Sequence, residues 1–373
     1  PAVRGEIHAP HYVFWLQDRL QKKFKDLAAS EPISPVPFHQ EIHVHTTLDK
    51  ATYEQVLHIV QSEIQQRQQD NHATNSAVIG IDLQQQELRV MLGSVNFFDS
   101  ALEGAVNMTL ASRQTGSTLK PFLFAQALES GMSPADEIRD ERQTFLTEKG
   151  GYSPRNFDVE VEYGRVRFRE ALVNSYNISA VYLLEKIGIH PFFDLLRQLH
   201  IGTFQSADEL GYSMILGSTE ASLFHLTNAY SIFPHKGLLP EVKFFEYVTD
   251  ENGNILLDWA SYAHEQESLT HASKNHTSDK GKRVFDLATA EWMVHALSDE
   301  KARWKNYSRG NVLEVDFPSG AKTGTSQDFR DNWVIGFSPR YALGVWAGNT
   351  DGTPMYTSSG VEGAGPIWNK VFR

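Results

Sequence analysis

Segments with the pattern of β-strands lie at both ends of the main part of the chain, and segments with the pattern of helices lie between them. Residues 76–82 and 87–93 are apolar runs joined by a short polar turn, which predicts a β-hairpin. Residues 320–325, 332–337 and 343–347 predict three further strands with short connections. Since helical patterns fill most of the sequence in between, we expect an α+β fold whose two ends meet in one antiparallel sheet.

The chain is divided unevenly along its length. Apolar residues at helical spacing predict helices over 11–27 and 49–69, and we expect residues 1–70 to be a linker or a small accessory region. Residues 71–373 then form the main domain. Within it, the polar stretch 261–282 is rich in His and Ser, which predicts an exposed loop.

Composition excludes several classes of protein. The chain has 34 Lys and Arg against 46 Asp and Glu, a net charge of −12, which argues against nucleic-acid binding because that needs clustered positive charge. The absence of cysteine excludes thiol nucleophiles, disulfides and Cys-ligated zinc. The sequence contains no apolar run near the roughly 20 residues that a membrane-spanning helix needs. Because the chain starts at Pro1, we expect that an anchor or targeting segment is missing from it.

Ser117 and Lys120 are the first candidate catalytic pair. They lie three residues apart at the start of a predicted helix over 117–128, so their side chains share one face. A neutral lysine can accept the proton of a serine hydroxyl, provided that burial and a second cation lower its pKa from about 10.4 to near 7. A helix N-cap role for Ser117 is the alternative. The same spacing recurs at Ser298/Lys301 and Ser319/Lys322. The pair alone is therefore not specific.

Ser175 and Asn177 form a second candidate pair. On a turn, the two side chains can point the same way, the hydroxyl to pass on a proton and the amide to hold a lysine and a substrate carbonyl. Serine and asparagine are also common in turns and helix caps, which is the alternative reading. The same spacing occurs at Ser94 and Asn96.

The third candidate is the segment Lys322-Thr323-Gly324, which occurs once and is followed by Thr325. On a strand, Lys322 and Gly324 share one face, and the two threonines share the other. We expect Gly324 to leave room for the backbone of a ligand and Thr325 to offer an N–H and a hydroxyl. A phosphate-binding P-loop is excluded because its glycine pattern before a helix is missing.

The three motifs in this order resemble the transpeptidase domain of class A (bifunctional) penicillin-binding proteins, and the chain is most similar to the 1C type. The resemblance covers nearly the whole chain and extends to other segments, namely Arg113-Gln-Thr-Gly-Ser-Thr-Leu-Lys-Pro-Phe, Tyr152-Ser-Pro-Arg-Asn-Phe-Asp, Arg330-Asp-Asn-Trp, Val345-Trp-Ala-Gly-Asn-Thr-Asp-Gly and Gly360-Val-Glu-Gly-Ala-Gly-Pro-Ile-Trp. It implies the α+β fold of penicillin-binding proteins and serine β-lactamases, a central antiparallel sheet flanked by helices. It also implies that 1–70 is the linker after a glycosyltransferase domain that this chain lacks. Tyr176, between Ser175 and Asn177, departs from the smaller residue usual there.

The resemblance also implies the chemistry. Ser117 would be the nucleophile that attacks the bond between two terminal D-alanines of a peptidoglycan stem peptide, and Lys120 would be its base. The remaining expected site residues are Ser175 for proton transfer, Asn177 for orientation, Lys322 for positive charge, and Thr323, Gly324 and Thr325 for binding, with the N–H groups of Ser117 and Thr325 as the oxyanion hole.

The expected partners are stem peptides and β-lactams, and other proteins of cell-wall synthesis are further candidates. We expect no metal and no cofactor, because His43 and His45 have no third ligand in view. The expected location is the periplasmic side of the cytoplasmic membrane, with the membrane reached through the missing anchor. Two alternatives remain: a D,D-carboxypeptidase or β-lactamase, in which water takes the acyl group, and a β-lactam sensor or scaffold without catalysis.

Overall fold

The predicted succession of strands, helices and strands is present in the protein, whose computed structural model describes residues 7–30, 41–147, 150–202, 206–269 and 281–373. The helices are α1 (Pro10–Ser30), α2 (Lys50–Asn71), α3 (Lys120–Glu129), α4 (Phe168–Val173), α5 (Asn177–Ile187), α6 (Ile189–Gln198), α7 (Ala207–Leu210), α8 (Leu223–Tyr230), α9 (Trp259–Leu269), α10 (Leu287–Leu297), α11 (Glu300–Tyr307) and α12 (Ala364–Phe372). The strands are β1 (Ile42–Thr46), β2 (Asn75–Asp82), β3 (Glu87–Leu92), β4 (Arg113–Gln114), β5 (Glu137–Asp140), β6 (Phe145–Thr147), β7 (Gly150–Tyr152), β8 (Gly164–Arg167), β9 (Glu220–Ala221), β10 (Leu238–Leu239), β11 (Phe245–Asp250), β12 (Ile255–Asp258), β13 (Lys282–Arg283), β14 (Gly320–Thr325), β15 (Asp331–Phe337) and β16 (Tyr341–Gly348).

A five-stranded antiparallel sheet joins the two predicted groups of strands, in the order β14-β15-β16-β2-β3. Strand β16 makes the junction: its residues Tyr341 and Gly348 pair with Asp82 and Asn75 of β2. The residues of β15 are buried along the whole strand, as expected for a strand that is covered on both faces. The prediction of an α+β fold with one central antiparallel sheet is confirmed.

Helices cover both faces of this sheet. Consecutive residues of a strand point to opposite faces, so Ile335 and Gly336 of β15 mark the two sides. Gly336 packs against Trp368 of α12. Gly344 pairs with Ile335 and therefore lies on the other face, where it packs against Thr227 of α8. Strand β14 forms one edge of the sheet. The candidates Ser117, Lys120 and Asn177 lie on helical elements that follow β3 in the chain.

The N-terminal residues that the structure describes pack onto the same body. Helix α2 contacts β2, β3 and α12, and Asp49 caps its start by accepting a hydrogen bond from the Thr52 N–H at 2.7 Å. Strand β1 pairs with β11 in a separate three-stranded sheet. The division of the chain at residue 70 stays a prediction. Among the described helices, none combines the length and apolarity needed to cross a membrane.

The prediction of an exposed loop over 261–282 is wrong at its start. Residues up to 269 belong to α9, and residues 270–280 lie outside the described part of the chain. Aromatic packing explains the difference: Trp259 and Tyr262, at the start of α9, pack against the rings of Phe244 and Phe245. The polar composition of the segment gave no indication that these two aromatic residues hold a helix in place.

Candidate active site

The candidate nucleophile Ser117 lies on a tight 3-10 turn, Gly116–Leu119, that leads directly into α3. The predicted helix therefore begins three residues later than Ser117. Gly116 has a φ of +54°, which favours glycine, and a Cβ there would lie 2.5 Å from the Thr325 backbone nitrogen. The glycine thus allows the turn to lie against β14. Ser117 itself is half-buried.

Lys120, at the first position of α3, is completely buried. Its amine nitrogen Nζ donates to the Ser175 carbonyl oxygen and to Asn177 Oδ1, both at 2.7 Å, and lies 3.2 Å from Ser175 Oγ. Among the described residues, no hydrogen bond forms between the hydroxyl of Ser117 and this amine, although the sequence predicted their pairing.

Ser175 stands between the two lysines of the predicted motifs. Lys322 Nζ donates to Ser175 Oγ at 2.9 Å, and also to the carbonyl oxygen of its neighbour Thr323 at 2.9 Å. The φ of Ser175 is +61°, a left-handed conformation that is costly for a residue with a side chain and that is often found at functional sites. We call Lys120, Ser175, Asn177 and Lys322 the amine cluster.

Asn177 is oriented on two sides. Its Nδ2 donates to the carbonyl oxygen of Arg155 at 2.9 Å, so its Oδ1 faces Lys120. Its backbone N–H donates to Asn156 Oδ1 at 2.8 Å. Because both ends of the amide are engaged, Asn177 presents an acceptor to the amine of Lys120 in a fixed direction.

Both amines in the cluster are less basic than free lysine. Burial, and next the charge of Lys322, lower the pKa of Lys120 well below its usual value, while Asp140 acts in the opposite direction. Burial and the charge of Arg303 lower the pKa of Lys322 from 10.5 to about 7. These are the two causes that the sequence argument required for a neutral Lys120 near pH 7.

Strand β14, which carries the third predicted motif, lies at one edge of the central sheet. The Ser326 N–H donates to the Asp331 oxygen at 2.9 Å, so the alternation of an antiparallel ladder directs the N–H of Thr325 to the open edge. That edge faces the turn of Ser117. Gly324 does not lie open to a ligand: a Cβ there would lie 2.6 Å from the Thr115 carbonyl oxygen. Its missing side chain admits the turn before Ser117.

The two threonine hydroxyls of this segment have partners within the protein. Thr323 Oγ1 lies 2.9 Å from the Tyr307 hydroxyl, and Thr325 Oγ1 accepts a hydrogen bond from the Gly360 N–H at 2.9 Å. A carboxylate that binds these hydroxyls must share them with Tyr307 and Gly360. The predicted role of the threonines stays a prediction.

Helix α11 lies beside the cluster and was not predicted as part of the site. Asn306 bonds to both the backbone and the side chain of Asn174, the residue before Ser175. Arg303, one turn earlier, is buried, and its Nε and Nη1 have no hydrogen-bond partner in the described part of the chain. This helix thus supports the serine turn and places a cation near Lys322.

The structure therefore brings the four members of the amine cluster into direct hydrogen-bond contact, and it places Ser117 and Thr325 on the adjoining turn and strand edge. His43 and His45 are exposed on β1. The described residues contain no group of three or more His, Cys, Asp or Glu that could hold a metal ion. The model of the penicillin binding protein transpeptidase domain family matches residues 47–373.

The chain belongs to the penicillin-binding protein transpeptidase family.

Relatives of two types match this family member at similar identity. The chain is 32% identical to penicillin-binding protein 1A of Aquifex aeolicus over 300 residues, which is 78% of this chain and 37% of the relative. It is 30% identical to penicillin-binding protein 1C of Escherichia coli over 298 residues, which is 79% of this chain and 34% of the relative. The chain thus spans about a third of the length of these relatives.

Solved structures share the fold. Penicillin-binding protein 1A of Haemophilus influenzae matches with a TM-score of 0.80 and 16% identity, covering 99% of this chain and 70% of that chain. PonA1 of Mycobacterium tuberculosis in complex with penicillin V matches with a TM-score of 0.70 and 22% identity, covering 94% of this chain and 90% of that chain. The predicted penicillin-binding-protein fold is confirmed.

Proposed function

We propose that this chain is a serine D,D-transpeptidase domain that cross-links peptidoglycan stem peptides and is acylated by β-lactams. The observation that carries the proposal is the contact of Lys120 with Ser175 in the amine cluster, beside the turn of Ser117. The Ser117 oxygen attacks the carbonyl carbon of the second-to-last D-alanine. The bond from this carbon to the nitrogen of the last D-alanine breaks, and the last residue leaves as free D-alanine. The amine of a second stem peptide then takes the acyl group from the serine.

Hydrogen-bond geometry supports Lys120 as the base. A neutral amine has two N–H groups and one lone pair. The carbonyl oxygen of Ser175 and the Oδ1 of Asn177 can only accept, and at 2.7 Å they engage both N–H groups. The lone pair is left to take a proton. Catalytic hydrogen bonds such as that from Ser117 often form only in the substrate complex.

Ser175 is proposed to carry the proton onward. Its hydroxyl is within 3.2 Å of Lys120 Nζ and 2.9 Å of Lys322 Nζ, so it can receive a proton from the first amine and give one to the leaving amine of the substrate. Lys322 supplies positive charge, which disfavours a second ammonium at Lys120 and attracts the terminal carboxylate of the stem peptide.

The backbone of the cleft is proposed to stabilise the oxyanion. Gly116, the residue before Ser117, lies directly against the Thr325 backbone, and we propose that the N–H groups of Ser117 and Thr325 both point to the oxyanion there. Loss of one such donor typically reduces transition-state stabilisation by about 2.7–4 kcal/mol. The open edge of β14 also offers backbone groups to which an extended stem peptide can add as a further strand.

We propose an amine rather than water as the acceptor because an amine is the stronger nucleophile. An enzyme that uses water needs a base to activate it. Asp140, the acidic residue that acts on Lys120 within the described structure, has both carboxylate oxygens engaged by protein donors. Glu170 binds the Tyr176 hydroxyl and Lys305. The amine of a stem peptide is protonated near pH 7 and must also lose a proton, so Lys120 and Ser175 are proposed to take that proton as the new amide bond forms.

The wider setting is also part of the proposal. Since the aligned region covers only about a third of the matched relatives, we propose that residues 1–70 connect this domain to a glycosyltransferase domain and a membrane anchor. The transpeptidase domain over 71–373 would then work in the cell envelope, on the periplasmic side of the cytoplasmic membrane.

A donor pentapeptide ending in D-Ala-D-Ala, incubated with a separate amine acceptor, tests the function. We expect release of D-alanine and a cross-linked product, both lost in Ser117→Ala. Ser298→Ala is the matched control, because Ser298 precedes a lysine at the same spacing but lies at the end of α10. Release of D-alanine with hydrolysis alone would favour a carboxypeptidase, rapid turnover of penicillin would favour a β-lactamase, and a stable penicillin adduct without any peptide reaction would favour a sensor.

A further inference from the structure

A buried carboxylate behind the amine cluster has no assigned role. Asp140, the last residue of β5, is completely buried. It accepts four hydrogen bonds: from Asn156 Nδ2 at 2.6 Å, the Tyr163 N–H at 3.2 Å, the Ser179 N–H at 3.0 Å and the Ser179 hydroxyl at 2.7 Å. No cation of the described residues forms an ion pair with it. Hydrogen-bond donors, rather than an opposite charge, therefore surround this buried carboxylate.

Hydrogen bonds connect this carboxylate to the amine of Lys120. Asn156 donates to Asp140 and, with its Oδ1, accepts from the Asn177 N–H at 2.8 Å. Asn177 in turn holds Lys120 Nζ at 2.7 Å. The link from the carboxylate to the proposed base therefore passes through the side chain of Asn156 to the backbone N–H of Asn177, and the side chain of Asn177 holds the amine.

The same residues also begin α5, which is the simpler explanation for them. Asn156 Oδ1 accepts from the first two N–H groups of the helix, those of Asn177 and Ile178, and Asp140 accepts from the third, that of Ser179. A negative charge at a helix N-terminus is stabilising in any protein. A purely structural carboxylate, however, would not affect the protonation of Lys120.

Two charged residues, on two different strands, act on the amine of Lys120. Lys322 on β14 opposes its protonation, and Asp140 on β5 favours it. Around Asp140, β8 turns Val166 inward and leaves its arginines exposed, while Glu170 of α4 faces the Tyr176 hydroxyl. Asp140 is thus the negative charge that acts on the amine when it becomes an ammonium beside Lys322.

We propose that Asp140 is a positioning residue for acylation: through Asn156 it orients Asn177, and its charge stabilises the ammonium that Lys120 becomes. The inference rests on the proposed function. In the step concerned, the proton of the Ser117 hydroxyl moves to Lys120 Nζ as the serine oxygen forms its bond to the acyl carbon. The new positive charge arises within the hydrogen-bonded network of the carboxylate.

Asp140→Asn tests the proposal, because it removes the charge and keeps the shape. The rate of acylation by a fluorescent penicillin is measured at saturating and subsaturating ligand from pH 5 to pH 9. We expect the acylation rate at saturation to fall about 10- to 100-fold, with little change in the affinity of the non-covalent complex. We also expect the acid limb of the pH profile to move to lower pH, because loss of the negative charge lowers the pKa of Lys120 further.

Two control variants separate charge from structure. Ser179→Ala removes one hydrogen bond to Asp140 but keeps the carboxylate, so its acid limb should stay at the wild-type pH. Asp158→Asn makes the same chemical change at an exposed position and should leave rate and profile unchanged. If Asp140→Asn does not fold, Asn156→Ala breaks the link to Asn177 and should slow acylation without weakening the non-covalent complex.

The outcomes are distinct. An unchanged rate in Asp140→Asn, or a slower rate with the acid limb in place, contradicts the proposal, and so does an unchanged rate in Asn156→Ala when that variant is needed. Failure of the proposed function would appear differently, as a wild-type protein that is not labelled or as a Ser117→Ala variant that is.

Discussion

Replacing Lys322 by methionine should change how the stability of the protein depends on pH. Burial, and next the charge of Arg303, lower the pKa of this lysine from 10.5 to about 7. In the unfolded chain the amine keeps its usual pKa, so the unfolded state binds the proton more tightly. Below pH 7 the lysine therefore lowers the free energy of unfolding by its full amount. This destabilisation disappears gradually as pH rises from about 7 to 10.5.

The size of this effect follows from the two pKa values. The difference between 10.5 and about 7 corresponds to about 5 kcal/mol in total. Between pH 7 and pH 9 the folded protein should gain about 2 kcal/mol, because the amine is already half neutral at pH 7. The substitution also removes hydrogen bonds to Ser175 and Thr323, at about 1 kcal/mol each, but this loss is equal at both pH values.

Equilibrium unfolding in urea at pH 7 and pH 9 measures the difference. Wild-type protein should gain about 2 kcal/mol more than Lys322→Met over this interval. Lys301→Met, at an exposed lysine, should behave like wild type. Equal gains in the wild-type and Lys322→Met proteins would refute the argument that a buried, destabilised amine lies in the cleft.

Three further predictions concern the reaction. Lys120→Met should slow acylation by penicillin by orders of magnitude with an unchanged circular dichroism spectrum, and a near-normal rate would exclude Lys120 as the base. Lys322→Ala should weaken β-lactams that carry a carboxylate more than analogues without it, and in wild type this preference should fade as pH rises above about 7; an equal effect on both ligands contradicts the role. Gly116→Ala should destabilise the protein by at least about 1–2 kcal/mol in thermal or urea unfolding and impair acylation, since its Cβ would collide with Thr325; wild-type behaviour would show that the turn does not need glycine.

The central sheet was predictable because its signal is local. Four of its five strands contain an apolar run, and the fifth, β14, has a short connection to β15. The meeting of the two groups in one sheet was predicted, whereas the pairing of β16 with β2 is known from the structure. The helix α9 was not predictable from composition, because its packing depends on two aromatic residues that contact Phe244 and Phe245, outside the helix. The small sheets, such as β1 with β11, likewise depend on distant partners.

The candidate site divides in the same way. The three short motifs identified the amine cluster because each carries its residues at fixed local spacing. Asp140 and Asn156 were not predicted, since a single polar residue resembles a surface residue until its neighbours in space are known. One local signal existed: in β5 the buried positions are Ile138 and Asp140, which places a charge on the inward face of a strand.

Sequence reasoning also assigned ligand contacts that the fold uses internally. Gly324 makes room for the turn before Ser117, and the hydroxyls of Thr323 and Thr325 bond to Tyr307 and Gly360. Motif residues have structural partners as well as catalytic ones, and the sequence of a motif does not distinguish the two.

The identity of the acylated atom is the most direct test of the account. The protein is incubated with penicillin and digested, and the modified peptide is located by mass spectrometry. We predict one penicilloyl group, on Ser117, that is absent in a folded Ser117→Ala variant and present in Ser298→Ala. A penicilloyl group on any other residue, or undiminished modification of Ser117→Ala, would contradict an activated serine at this turn.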